Sequence, residues 1–178
     1  MIPVTRNVDP DMTRALIVID VQNEYFDGGK LPLFEAAETE ARIIDAITRA
    51  RAAGDRVILI RHEAQSDQGI FAAGSSGTLI RDGILAAAGD APVVTKHFAD
   101  SFQETDLLGH LDGIDNLLIC GMMTQNCVVF TAMSELTGGR AVTVAGDLCA
   151  APSQVVHLVA LAALGSKRKM ADAASLWP

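Results

Sequence analysis

Three residue types that together can hydrolyse an acyl bond each follow a short apolar run in this chain. Asp20 ends the segment ALIVID, Lys96 ends PVVTK, and Cys127 lies shortly after LLIC. A cysteine thiolate is a strong nucleophile, a carboxylate can take the thiol proton, and a neighbouring ammonium stabilises the negative charge. The combination predicts nucleophilic hydrolysis if the fold brings the three side chains into one cavity.

The surroundings of Cys127 favour a reactive thiol. The segment Thr124–Leu136 is predicted to be a helix that ends at two glycines, which places Cys127 in the first turn. Unpaired backbone amides and the helix dipole favour an anion there, so we expect the pKa of this thiol to be lowered. The alternative is that Cys127 is only a small buried hydrophobic residue. Cys120, inside an apolar run, and Cys149, in a loop after another run, are interpreted as structural.

Five apolar runs rich in β-branched residues indicate strands that are buried on both faces. The predicted strands are Ala15–Ile19, Val57–Ile60, Pro92–Thr95, Leu117–Cys120 and Ala141–Ala145, with a weak sixth strand at Arg168–Ala171. The predicted helices besides Thr124–Leu136 are Glu35–Ala53, a short one after Thr105, and Pro152–Leu164. The alternation predicts an α/β fold with three α-β-α layers, in which a Rossmann-like, mostly parallel sheet of about six strands has helices on both faces.

Such a sheet would bring the candidate residues together. Loops beyond the carboxyl ends of parallel strands are free to carry reactive groups. Asp20, Lys96 and Cys127 all follow predicted strands that such a sheet would place side by side, so we expect them to meet at this edge. The stretch Gly74–Thr78 is interpreted as a surface loop, and its serines as part of a flexible turn.

The composition restricts the class of protein and its partners. The chain has 178 residues and a formal net charge of −8, which argues against nucleic acid as a partner. Its three cysteines form no paired framework, and neither an export signal nor a membrane-spanning run is visible, so we expect a cytoplasmic protein. The length predicts one domain over residues 1–178. The segment VVHLVALAAL is apolar nearly all round, so it is either deeply buried or part of a subunit contact, and we expect a homo-oligomer, at least a dimer.

Three segments carry a resemblance to a known family. DVQNEYF around Asp20, TKHFADSFQETDL around Lys96 and GMMTQNCVVFTA around Cys127 resemble the signature segments of the isochorismatase-like cysteine hydrolases, in the same order. This superfamily includes isochorismatases, nicotinamidases and N-carbamoylsarcosine amidohydrolases. The pattern G-x-x-T-x-x-C-V, from Gly121 to Val128, is the most discriminating part.

The resemblance implies a mechanism and a role for each residue. Asp20 would act as the general base and then as the acid for the leaving amine, Lys96 would hold the charges in register, and Cys127 would form a thioester that water hydrolyses. The backbone amides of Met123 and Cys127 would form the oxyanion hole. The family also implies a cis peptide bond between Met122 and Met123.

Residues close to the three candidates could form the wall of a substrate pocket, since a pocket needs apolar surface and a few fixed polar groups. Packing in the core or exposure on a loop is the alternative for each of them. The candidates are Gln22, Tyr25, Phe26, His62, Glu63 and Phe102.

The chain departs from the nicotinamidase branch of the superfamily. Members of that branch bind a metal through an Asp-x-His pair and a further histidine after the second strand, where this chain has RHEAQSDQGIF. We therefore predict no metal and no cofactor, and hydrolysis of a C–N bond in a small-molecule amide or ureido compound. Two alternatives remain open: vinyl ether hydrolysis of the isochorismatase type by Asp20, and a non-catalytic or redox-sensing scaffold with a reactive Cys127.

Overall fold

A computed structural model describes residues 13–178 of the chain. Its centre is one six-stranded sheet with the strand order β3-β2-β1-β4-β5-β6, in which every neighbouring pair is parallel. The strands are β1 (Arg14–Ile19), β2 (Arg56–His62), β3 (Val93–Lys96), β4 (Asn116–Met122), β5 (Ala141–Ala150) and β6 (Lys169–Ala171). The helices are α1 (Ala36–Ala52), α2 (Asp82–Ala88), α3 (Val129–Met133), α4 (Gln154–Gly165) and α5 (Ala173–Leu176).

Alternating side chains of the central strand pack into two separate apolar clusters. Leu16 and Val18 of β1 belong to a cluster that contains Ile43 and Ile47 of α1. Ala15, Ile17 and Ile19 point to the opposite face, where the second cluster includes residues of α3 and α4. The predicted three-layer α/β fold with a parallel sheet of six strands is therefore confirmed.

Several predicted element boundaries were wrong for local reasons. The predicted helix Thr124–Leu136 is a wide π turn, Thr124–Val128, followed by α3, which stops at Met133 because Ser134 has an extended ψ of 136°. The Ser134 hydroxyl accepts a hydrogen bond from the Leu136 amide and so begins a separate turn. The last long helix begins at Gln154 rather than at the predicted Pro152, with Ser153 as its N-cap.

Two loop predictions also change. Cys149 lies within β5 and not in a loop, since this strand continues past a register shift opposite Ile119 and Gly121. The stretch Gly74–Thr78 ends in a short 3-10 turn whose last two residues are buried, so it is only in part a surface loop. Helix α2 was not predicted, because its seven residues are too few for a clear helical period.

None of the helices in residues 13–178 is long and apolar enough to cross a membrane. The prediction that the N-terminus carries no export signal concerns residues 1–12, which lie outside the described residues. The cytoplasmic location and the single domain over residues 1–178 stay predictions.

We expect the protein to form a homo-oligomer through α4. Val155, Leu158 and Val159 lie on one stripe of this helix, and Val155 and Val159 are 72% and 66% exposed. Sedimentation at micromolar concentration should show a dimer or larger species, and Val155→Glu with Val159→Glu should shift it toward monomer. Leu79→Glu, which adds a charge at an exposed apolar residue outside α4, is the matched control. A wild-type protein that sediments only as monomer would contradict this prediction.

Candidate active site

Asp20 is held rigidly at the carboxyl end of β1. Its backbone adopts the left-handed conformation with φ of +50°, which Asp tolerates better than most residues. The Asp20 amide donates to the Ile60 carbonyl at 3.1 Å, and the Asp20 carbonyl accepts from the Gln22 amide at 2.9 Å. The side chain is completely buried.

Lys96 reaches Asp20 across an intervening strand. The predicted side-by-side placement of the three strands was wrong, because β2 lies between β1 and β3, and His62 of β2 is the register partner of Lys96. The long lysine side chain spans this gap. Its Nζ lies 2.9 Å from Oδ2 of Asp20 and donates to the Ala99 carbonyl at 3.0 Å, with both charged side chains fully buried.

Cys127 arrives at the same place through a close approach of β4 to β1. Gly121 has a φ of +116°, and a Cβ atom at this position would lie 2.1 Å from the Ile19 carbonyl oxygen, so a side chain here would force β4 away from Asp20. The peptide bond between Met122 and Met123 is cis, as predicted. The turn Thr124–Val128 then presents Cys127, which is 3% exposed.

The site brings a thiol, a carboxylate and an imidazole into one cluster. One donor atom each of Asp20, His62 and Cys127 lies within 4.8 Å of the other two. The Lys96 ammonium neutralises the carboxylate, and neither Asp20 oxygen accepts a hydrogen bond from a backbone amide or a hydroxyl in residues 13–178. The carboxylate therefore keeps lone pairs with which it can accept a proton.

The predicted lowering of the Cys127 pKa was wrong. Burial, together with the negative charge of Asp20, raises the pKa of the Cys127 thiol to about 12, and the Lys96 ammonium opposes this only in part. Burial disfavours the Lys96 charge, but Asp20 and Cys127 more than compensate and hold the pKa of Lys96 above its usual value. The resting site therefore holds a neutral thiol beside a lysine that stays charged.

Three of the six predicted pocket residues lie next to the candidate catalytic residues. Tyr25 is buried, and its pKa is raised first by burial and then by the negative charge of the nearby Asp20, so its phenol stays neutral next to the site. Burial lowers the pKa of His62, which favours its neutral form in the same cluster. Phe102 is buried and belongs to the apolar cluster that contains Cys127.

The side chains of the other three predicted pocket residues are held by contacts outside the cluster of the Asp20, His62 and Cys127 side chains. Gln22 is fully buried and acts as a brace, because its side-chain amide donates to the carbonyls of His62 and Thr78 and its oxygen accepts from the His62 amide. The ring of Phe26 packs under the guanidinium of Arg81 at 4.3 Å and lines a cavity of about 370 Å³ that Tyr25 also borders. The Glu63 carboxylate lies 3.5 Å from the amide of Gly74, in the loop after β2.

Sequence reasoning missed two residues that shape the site. The ring of Phe71 packs edge-on against Tyr25 and His62, with centroid distances of 5.0 and 5.1 Å. The buried Glu24 carboxylate accepts from the Phe71 amide at 3.1 Å and lies against Gly77, where a Cβ atom would be 2.2 Å from Oε2. The position of Glu24 within DVQNEYF was one available signal, and the large apolar Phe71 in a polar loop was another.

Asp20, His62 and Cys127 also offer the donor types of a metal site, but the arrangement does not fit a resident cation. Carboxylate, imidazole and thiolate can together bind zinc. Here the Lys96 ammonium already lies 2.9 Å from the Asp20 carboxylate, so a metal would have to bind next to a buried positive charge. We assign no metal to these residues.

We expect the free energy of unfolding to fall as the pH rises above about 9. In the folded protein the pKa of Cys127 and that of Cys149 are each raised to about 12, first by burial, from the ordinary value of 9.0. The unfolded chain therefore loses each thiol proton at lower pH than the folded protein does, so alkali favours unfolding. Each thiol should cost roughly 1.4 kcal/mol per pH unit in this interval.

Urea unfolding between about pH 8 and about pH 10.5 measures this slope. In Cys149→Ala the free energy of unfolding should fall less steeply with pH, because one of the two thiols no longer contributes. A slope that Cys149→Ala leaves unchanged would contradict the raised pKa of that thiol.

The parallel sheet and the cluster of nucleophile and carboxylate at its carboxyl edge are typical of a hydrolase with a three-layer α/β fold. The chain belongs to the isochorismatase family: the Isochorismatase domain matches residues 14–174, which confirms the resemblance of the three signature segments. Members of this family are hydrolases.

Relatives and solved structures agree with this membership. The chain is 31% identical over 166 residues to the uncharacterized isochorismatase family protein YddQ of Bacillus subtilis, a match that covers 86% of this chain and 92% of YddQ. It is 27% identical over 168 residues to Nicotinamidase 3 of Arabidopsis thaliana, covering 86% and 81% of the two chains. The crystal structure of an isochorismatase family protein from Desulfovibrio vulgaris is similar with a TM-score of 0.85 and 25% identity, covering 93% and 97%.

Proposed function

We propose that this protein hydrolyses the C–N bond of a small-molecule amide or ureido compound through a thioester on Cys127, without a metal. The observation that carries the proposal is the buried group of three: the Cys127 thiol beside the Asp20 carboxylate, and the Lys96 ammonium 2.9 Å from that carboxylate. The name of the relative Nicotinamidase 3 supports cleavage of an amide bond. The depth of the thiol, 3% exposed, favours a small substrate.

The first half-reaction transfers the acyl group to sulfur. Asp20 takes the thiol proton as the Cys127 sulfur attacks the acyl carbon, so that the thiolate forms only as it is consumed. This order fits a thiol whose pKa is raised to about 12 by burial and by Asp20. The negative charge that develops on the acyl oxygen would be bound by the amides of Met123 and Cys127. Asp20 then gives its proton to the leaving nitrogen, and the C–N bond breaks.

The second half-reaction restores the enzyme. Asp20 takes a proton from water, the water oxygen attacks the thioester carbon, and the C–S bond breaks. The proton returns to the sulfur, and the acid product leaves. Lys96 stays charged throughout, because Asp20 and Cys127 hold its pKa above the usual value, and its ammonium stabilises the negative charge of the carboxylate 2.9 Å away between the two steps.

A substrate screen tests the proposal. Primary amides and ureido acids are incubated with the protein, and released ammonia is measured, with protein alkylated at Cys127 as the control. We expect at least one compound to release ammonia and the alkylated protein to release none. Turnover of isochorismate that survives Cys127→Ala and disappears in Asp20→Asn would instead favour vinyl ether hydrolysis.

A further inference from the structure

A histidine outside the active site contacts the turn that carries the nucleophile. Thr124 is the first residue of this turn and is fully buried. Its hydroxyl oxygen lies 2.9 Å from Nδ1 of His157, which belongs to α4 and is half-buried. Helix α3 and strand β5 separate the two residues in the sequence, so this bond joins the nucleophile turn to a helix that follows β5.

The turn begins without a side-chain cap, and two of its backbone hydrogen bonds depend on Met123. Its N-cap residue, Met123, makes no side-chain capping hydrogen bond. The amides of Asn126 and Val128 both donate to the Met123 carbonyl, at 3.1 and 3.2 Å, so two backbone bonds of the turn converge on one residue. Burial of Thr124, Cys127 and Val128 packs the turn against the core, and the hydrogen bond between the Thr124 hydroxyl and His157 adds a directional contact that fixes its orientation relative to α4.

We propose that His157 is a positioning residue: through the Thr124 hydroxyl it fixes the turn that presents Cys127 and the Met123 amide. The inference rests on the proposed function for its effect on turnover. Thr124 directly follows Met123, whose backbone amide is one of the two assigned to the oxyanion hole. A shift of Thr124 therefore moves an oxyanion donor and the nucleophile together, and a displacement of about 1 Å can cost about 10²-fold in rate.

His157 is suited to this contact as a neutral side chain. Burial, and then the positive charge of Arg42, lower the pKa of His157, while Glu35 opposes them. A neutral imidazole with an unprotonated Nδ1 can accept the proton of the Thr124 hydroxyl. The N-terminus of α4 that holds the imidazole is itself fixed, because the Ser153 hydroxyl accepts from the Val156 amide at 3.3 Å.

The test uses three variants of α4 in the full chain. His157→Ala should lower kcat about 10- to 100-fold and change KM less than about threefold, because the substrate contacts remain. His157→Asn should restore much of kcat, since the terminal atoms of an asparagine side chain can occupy the place of Nδ1. Ser153→Ala removes the cap of the same helix but leaves the Thr124 contact, so it should lower Tm and leave kcat within about twofold.

A second variant and a second measurement separate this inference from the proposed function. Thr124→Val removes the same hydrogen bond from the other side, and its effect should not add to that of His157→Ala in the double variant. The rate at which iodoacetamide alkylates Cys127 needs no substrate, and it should change in His157→Ala and return toward wild type in His157→Asn.

Two results would overturn the proposal. One is a His157→Ala variant with wild-type kcat and an unchanged rate of Cys127 alkylation. The other is a Ser153→Ala variant that loses as much kcat as His157→Ala, because both effects would then reflect only the stability of α4. If the wild-type protein hydrolyses no amide, the proposed function fails, while the alkylation rates still decide whether His157 positions the turn.

Discussion

Replacement of Cys127 by alanine is expected to lower kcat/KM for the amide substrate at least about 10³-fold, because the bond that the sulfur forms with the acyl carbon has no substitute in the site. Cys127→Ser should be nearly as inactive, since a neutral hydroxyl is a weaker nucleophile than sulfur beside the same carboxylate. Both variants should keep the fold, as measured by circular dichroism and thermal unfolding.

Cys149→Ala is the matched control for Cys127→Ala. Cys149 is also a free and buried cysteine whose pKa is raised to about 12, but it lies in β5 and outside the cluster of Asp20 and His62. This variant should lose some stability and keep its turnover. Hydrolysis of the amide by Cys127→Ala at the wild-type rate would remove the covalent mechanism.

The second large effect concerns the buried ion pair of Asp20 and Lys96. Lys96→Met should lower the free energy of unfolding by about 3 to 5 kcal/mol, because it leaves the Asp20 carboxylate fully buried without its cation. Turnover should fall by at least about 10²-fold in the same variant, since the general base would lack the ammonium that holds it and stabilises its negative charge. Urea unfolding and steady-state kinetics measure the two losses.

The double variant Asp20→Asn with Lys96→Met separates stability from catalysis. It removes both charges, so most of the lost stability should return while activity stays absent. Asp45→Asn is the control for a charge that does not matter, because the pair of Asp45 and Arg49 is exposed and should contribute less than about 1 kcal/mol. A Lys96→Met variant as stable as the wild type would contradict the interpretation of this pair.

Much of the fold could be predicted because the strands of this sheet are buried on both faces. Residues such as Ile17 and Ile119 lie in continuous apolar runs that only a covered parallel sheet explains. The placement of Asp20 and Lys96 followed from the same argument, since each lies at the end of such a run. Helix α2 escaped prediction because a short segment that contains Gly83 has little periodicity.

The details of the site depend on tertiary contacts that no local pattern encodes. The predicted direction of the Cys127 pKa shift was wrong. The prediction rested on the helix dipole of the turn alone, whereas burial and the negative charge of Asp20 determine the pKa. Gln22 follows Asp20 closely in sequence, and only the folded structure shows that its side chain makes two hydrogen bonds to the backbone of His62 in β2. The contact between Thr124 and His157 joins residues from different elements, and only the packing of α4 on the nucleophile turn reveals it.

The most direct test of covalent catalysis is the mass of the protein during turnover. A reaction with the amide found by the ammonia screen is stopped with acid after a few milliseconds, and the intact protein and its peptides are weighed. We predict a mass increase equal to the acyl group of the substrate, located on the peptide that contains Cys127 and absent from Cys127→Ala. Rapid ammonia release with no acyl group on any peptide, and with Cys127→Ala equally active, would contradict the mechanism.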